Sequence, residues 1–412
     1  MEVSPEHRVV FHNVREYPRI TEYIARFDTE TARVNTIAII IGLLTGFVIG
    51  VYDRTLQYSN TFLGMQQGFP LHEFPHYYVL FVPAFGGLLV GLISHFLMKK
   101  KYGVDGLIET VTLRGARLNL KDVFLEVFTS IITISSGGSL GKEAPGILAG
   151  AGTGAFMGKI LNSTERQLQI LLGCGAAGGI AAAFNAPLAG VVFVVEVIYG
   201  ELETRTFIPI VISSVFATLV SSTLFGIKPI EISPYQLINP YKELGLCLVL
   251  GLLAGIVSTV LIRALYYTKD IFSEIPFHPV FKPALGGLAV GAMGIFYPRV
   301  MGMGYTVITD VLNNQFTFKI LIILLFLKIL AFSLSLGSGG SGGTIVPSLF
   351  TGAMLGGAFW TVANLLFPGT LAEQGAYAMV GMGAVFAGTA RAPLTAILIL
   401  FEITRDYNMI LP

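Results

Sequence analysis

A chain of 412 residues that is 53% hydrophobic and 12% charged, with mean hydropathy +0.73, is not a soluble globular domain, where about 25% charged residues are usual. A formal net charge of +1 excludes a nucleic-acid footprint. Cys174 and Cys247 lie inside apolar runs and read as small core residues, not as a disulfide or a metal pair.

Residues 1–33 carry 11 charges of alternating sign with apolar residues spread among them, and no short apolar core precedes them. They predict an amphipathic segment on the cytoplasmic face and no cleavable signal. Uncharged runs follow at 34–52, 77–98, 167–195, 207–227, 244–262 and 329–372. About 20 apolar residues cross a bilayer as a helix, so the chain is expected to be all-α and multi-pass in the cell membrane, with the lipid bilayer as its surroundings. The last run holds more than one helix. Lys99-Lys100-Lys101 closes the second run and places that end, and with it the N-terminus, on the cytoplasmic side.

Beyond residue 102 the apolar segments shorten: 106–113, 123–134, 146–158, 187–198, 284–297, 304–312, 344–359 and 393–403. Gly, Pro and single charges interrupt them. Short broken segments at corresponding positions of two halves point to helices that stop inside the membrane around a binding site.

The halves are visible in the residues. Ser136-Gly137-Gly138-Ser139-Leu140-Gly141-Lys142-Glu143-Ala144-Pro145 recurs as Ser338-Gly339-Gly340-Ser341-Gly342-Gly343-Thr344-Ile345-Val346-Pro347, 202 positions later (343 minus 141). Ala186-Pro187-Leu188 with Glu196 recurs as Ala392-Pro393-Leu394 with Glu402. The expected organisation is a segment 1–33, then a membrane domain 34–412 with a first half at about 34–225, a polar linker at 228–243 and a second half at about 244–412.

Gly141-Lys142-Glu143-Ala144-Pro145 resembles the Gly-Arg/Lys-Glu-x-Pro motif of the CLC family of chloride channels and proton-coupled chloride transporters. Gly343-Thr344-Ile345-Val346-Pro347 is similar to the family's Gly-x-Phe-x-Pro, and Ala182–Gly190, Arg391–Thr395 and Phe401–Tyr407 agree as well. The resemblance implies two inverted-topology repeats of broken and tilted helices, a homodimer with one pore per subunit, and chloride as the transported ion. It implies an anion held by Gly141, Lys142, Ala144, Gly343, Thr344, Ile345 and Val346, with Glu143 as the gate. Physics points the same way. Helix N-termini offer unpaired N–H groups and partial positive charge, and an acid inside a membrane is functional by default.

Three departures stand out. The family's first anion motif, Gly-Ser-Gly-Ile-Pro, falls on Lys101-Tyr102-Gly103-Val104-Asp105, leaving Tyr102 and Gly103 as candidate anion ligands. The family's two final helices, one with a pore-lining tyrosine, are expected to be missing, since the chain ends at Pro412. The inner glutamate of proton-coupled members is Val197 here, so a proton-relay position is lost. On that ground a passive chloride channel is preferred and a chloride/proton antiporter is the alternative. His72-Glu73-Phe74-Pro75-His76 fits a zinc-protease pattern, but Pro75 breaks the helical turn that would align His72 and His76. An intramembrane metalloenzyme is therefore a remote alternative, and no cofactor, metal or catalytic residue is expected.

Overall fold

The computed structural model describes residues 18–65, 75–113, 115–200, 204–227 and 240–404. Residues 1–17 of the expected 1–33 segment, the His72-Glu73 pair, most of the 228–243 linker and Arg405-Asp406-Tyr407 lie outside the described residues. Apolar runs of spanning length close their own backbone hydrogen bonds as helices, which the bilayer demands. The first half is α1 (Pro18–Phe62), α2 (His76–Leu97), α3 (Gly103–Leu113), α4 (Leu120–Ser135), α5 (Glu143–Ile160), α6 (Glu165–Phe184), α7 (Pro187–Phe193, extended by a π-turn Val194–Tyr199) and α8 (Thr204–Phe225). The second is α9 (Pro240–Glu274), α10 (Lys282–Phe296), α11 (Tyr305–Leu312), α12 (Phe318–Gly337), α13 (Ile345–Leu366), α14 (Gln374–Ala390) and α15 (Pro393–Thr404). Among the described residues, eight helices are long and apolar enough to cross a membrane. With 11, 7 and 8 residues, α3, α7 and α11 are not.

Two expected boundaries move. No break separates residue 33 from 34, because α1 is one helix of 45 residues. The linker ends early, since α9 already includes Pro240 to Glu243. The long run 329–372 divides as expected, into the end of α12 and all of α13.

The breaks repeat between halves. After α4 and α12 the chain turns through Gly137 and Gly339, at φ +102° and +110°, a region that favours glycine. The N–H groups of Gly138 and Gly340 then fold back on the carbonyls of Thr133 and Ser335. Asn185 and Arg391, both left-handed, end α6 and α14 and lead into the Ala-Pro starts of α7 and α15, where proline costs no hydrogen bond.

Small residues bring the helices close, the usual route to packing within lipid. A β-carbon at Gly150 of α5 would strike the Gly175 carbonyl of α6, and one at Gly352 of α13 would strike the Gly381 carbonyl of α14. The halves also cap each other. Glu196 accepts the N–H groups of Leu394 and Thr395 at the start of α15 (3.1 and 2.8 Å), and Glu402 accepts those of Leu188 and Ala189 at the start of α7 (2.9 and 2.7 Å).

Candidate functional site

The two glycine stretches meet. Gly141 and Gly343 exchange backbone hydrogen bonds, N–H to O, at 2.9 and 2.6 Å. Residues at equivalent places in the two repeats thus pair with each other, and the pseudo-two-fold axis passes between them. On either side a helix begins, α5 at Glu143 and α13 at Ile345. No side chain caps either N-terminus, so their first-turn N–H groups remain free to hold negative charge.

Glu143 fills that space. Its side chain is fully buried. Oε1 accepts a hydrogen bond from the Tyr305 hydroxyl at 2.8 Å, and Oε2 closes none. The backbone N–H groups of Glu143 and Val346 face the carboxylate. Oε2 lies over Gly141, where a β-carbon would collide with it, and at Gly343 a β-carbon would come within 3.2 Å of it. Both glycines are therefore needed to seat the carboxylate. Ala144, Thr344, Ile345 and Val346 complete the two helix starts around it.

Lys142 turns away from this space. Its ammonium pairs with Asp53 of α1 and lies 5.8 Å over the Tyr305 ring. Asp53 also accepts Gln57 Nε2 at 2.7 Å. The Lys142 charge is neutralised within the protein, which leaves the backbone of Lys142, not its side chain, at the site.

A cleft of about 350 Å³ lined by Arg54, Gln57, Asn60, Met65, Met303 and Tyr305 leads to the Glu143 partner. It opens at the far end of α1, where Tyr78 at the start of α2 donates to the Leu63 carbonyl (2.8 Å). That is the face opposite Lys99-Lys100-Lys101 and so the outer one.

Tyr102 and Gly103 sit elsewhere, at the inner start of α3. Their N–H groups donate to the Glu126 carboxylate at 2.7 and 2.9 Å, and the Tyr102 hydroxyl accepts the Asn119 N–H at 3.1 Å. In this conformation neither backbone N–H is open to an anion, because a carboxylate of the protein holds that place, while the Tyr102 hydroxyl keeps its own hydrogen to donate. Val197 lies in the π-turn, packed against the core. His76 opens α2, and among the described residues no three metal-binding side chains come together.

Three residues escape the motif reading: Tyr305, Glu126 and Lys328. Lys328 is fully buried on α12 and donates to the carbonyls of Val300, Gly302 and Met303 (3.2, 2.9 and 3.4 Å). It thereby fixes the turn that presents Tyr305. A charge inside a 20-residue apolar helix was the available signal.

The family model described as voltage gated chloride channel matches residues 86–412. A ClcB-like relative from Ralstonia nicotianae is 34% identical over 339 residues, 81% of this chain and 79% of its own. A relative from Salmonella arizonae, named H(+)/Cl(−) exchange transporter ClcA, is 30% identical over 416 residues, 96% of this chain and 86% of its own. Among solved structures, a slow cyanobacterial Cl−/H+ antiporter superposes with TM-score 0.83 at 27% identity, covering 92% of this chain and 91% of that one. A CLC-type fluoride/proton antiporter shares the fold, with TM-score 0.79 at 22% identity over 93% of each chain. The chain is a multi-pass integral membrane protein of the voltage-gated chloride channel (CLC) family.

Proposed function

We propose that this chain moves chloride across the cell membrane in exchange for protons, with Glu143 as its outer gate. One observation carries the reading. A fully buried carboxylate lies between two uncapped helix starts, at the foot of a cleft from the outer face. Such a site suits a permeating anion, which needs partial charges strong enough to admit it and weak enough to release it. The ionised Glu143 side chain competes with the anion for the same N–H groups. A proton delivered through the cleft neutralises it, and the neutral acid gives up its seat.

Exchange is preferred because the exchange transporter from Salmonella arizonae and the cyanobacterial antiporter align over nearly the whole chain. Val197 favours the second reading, a passive chloride channel, because no acid stands at that position. A homodimer with one pore per subunit belongs to the same proposal.

Purified protein in liposomes tests it. Chloride efflux rises as external pH falls, and a chloride gradient drives protons uphill. Glu143→Gln conducts chloride with no dependence on external pH. A Glu143→Gln variant that kept the full external pH profile would remove Glu143 from the gate. Chloride flux with no proton movement would leave the channel reading in place.

A further inference from the structure

On the inner side Val197 leaves the family's glutamate position without a carboxylate. Glu126 is a buried carboxylate on that side. It lies six residues into α4, about 9 Å along the axis from the helix start, and is 7% exposed. Its two oxygens take both N–H groups at the start of α3, from residues 23 and 24 positions earlier in the chain. Lys101, beside it, reaches across to the Gly339 carbonyl of the second glycine stretch.

Glu196 and Glu402 cap equivalent helix starts alike in the two halves. At the position of Glu126 the halves differ. Its counterpart 202 residues on is Lys328, an opposite charge, which binds carbonyls ahead of α11 instead of N–H groups. The equivalent turns are thus held by a carboxylate on the inner side and an ammonium on the outer side. From Glu126 a row of buried hydroxyls follows α4. Thr129 donates to Ser341 (3.0 Å), the Ser341 N–H donates to Thr133 (3.3 Å), and Ser130 shares a hydrogen bond with Tyr52 (3.0 Å). Tyr52 in turn lies within the field of Glu143.

We propose that Glu126 is a proton-taking inner gate, the counterpart of Glu143 on the other face; the proposal rests on the anion-transport reading above. Ionised, it holds the Tyr102 and Gly103 N–H groups against an incoming anion. A proton from the inner water converts it to the neutral acid, a weaker acceptor, and the freed N–H groups take the anion. Other charges near it are accounted for. Asp122, one turn back on α4, accepts from Lys99 N and Asn119 Nδ2 (3.1 and 2.8 Å). Lys100 pairs with Glu109, Lys142 pairs with Asp53, and Asp105 is exposed on the first turn of α3.

The test is chloride efflux and proton movement in liposomes with internal pH varied at fixed external pH, for the wild-type chain, Glu126→Gln and Glu126→Asp. Wild-type flux rises severalfold as the inside is acidified. Glu126→Gln carries chloride without that dependence and no longer couples it to protons, while Glu126→Asp retains both. A cap without a gating role predicts instead that Glu126→Gln keeps the wild-type internal pH profile and coupling at any overall rate, which would overturn the proposal. The wild-type titration needs no variant to fold, and a flat internal profile there would also overturn it. Wild-type liposomes that carried no chloride at all would overturn the transport reading itself, and the proposal with it.

Discussion

Tyr305 donates to one oxygen of Glu143 while the other oxygen closes no hydrogen bond, so a single hydroxyl decides how firmly the gate is seated. A hydrogen bond to a charged group contributes about 1.5–3 kcal/mol. Tyr305→Phe removes it from the closed arrangement only. Chloride flux at neutral external pH is expected to rise, by about tenfold for each 1.4 kcal/mol lost, with Glu143→Gln unaffected by the second change. Flux measured in both backgrounds checks this, and an equal rise in both would place Tyr305 outside the gate. At this scale the sequence was readable where a residue sits in a motif. Glu143, Gly141 and Gly343 stand in duplicated glycine stretches, and the structure brings them together. Tyr305 was not readable, because its contact with Glu143 spans 162 positions and its short helix carries no mark of a site. Tyr102 shows the reverse error. Counting placed it at the start of α3, but its backbone N–H is taken by Glu126, which only a folded chain reveals.

The short helices depend on partners from the opposite half. Each of α7 and α15 starts with Ala-Pro and draws its cap from a glutamate beyond the axis, Glu402 for α7 and Glu196 for α15. Removing the carboxylate leaves two N–H groups at membrane depth without acceptors, each costing about 1–3 kcal/mol. Glu402→Ala and Glu196→Ala are expected to lower thermal stability by similar amounts, with the pH dependence of flux unchanged in the protein that remains folded. Thermal unfolding in detergent together with efflux checks it, and a change confined to the pH profile would point to a transport role instead. Gly, Pro and charge interruptions announced these segments, and helices do end at Gly137-Gly138 and before Ala186-Pro187, although α2 carries Pro83 and Gly86-Gly87 unbroken. The join between residues 33 and 34 was misread because polar composition suggested a separate element. Helical backbone continues through Thr31 to Val34 regardless, and nothing in those residues stops it.

Across the whole molecule the inverted repeat makes like pairs of helix starts, and a few side chains make them unlike. The backbone pairs symmetrically at Gly141 and Gly343, yet one helix start carries Glu143 and its counterpart carries Ile345. Glu126 is matched by Lys328 in the same way. An exchanger must keep its two faces from opening together, and one carboxylate per face, each released by a proton from its own side, would meet that need with little movement of the helices. The repeat itself was visible in sequence as a 202-residue offset, and the same offset from Glu126 lands on Lys328. That pairing went unnoticed because neither residue lies in a glycine motif. If the two carboxylates guard one path in series, removing either leaves the other limiting. The Glu126→Gln/Glu143→Gln chain should then carry chloride faster than either single variant, indifferent to pH on both faces and without moving protons. Efflux from liposomes of matched protein content measures this, and a double variant no faster than Glu143→Gln would put the two carboxylates on separate paths.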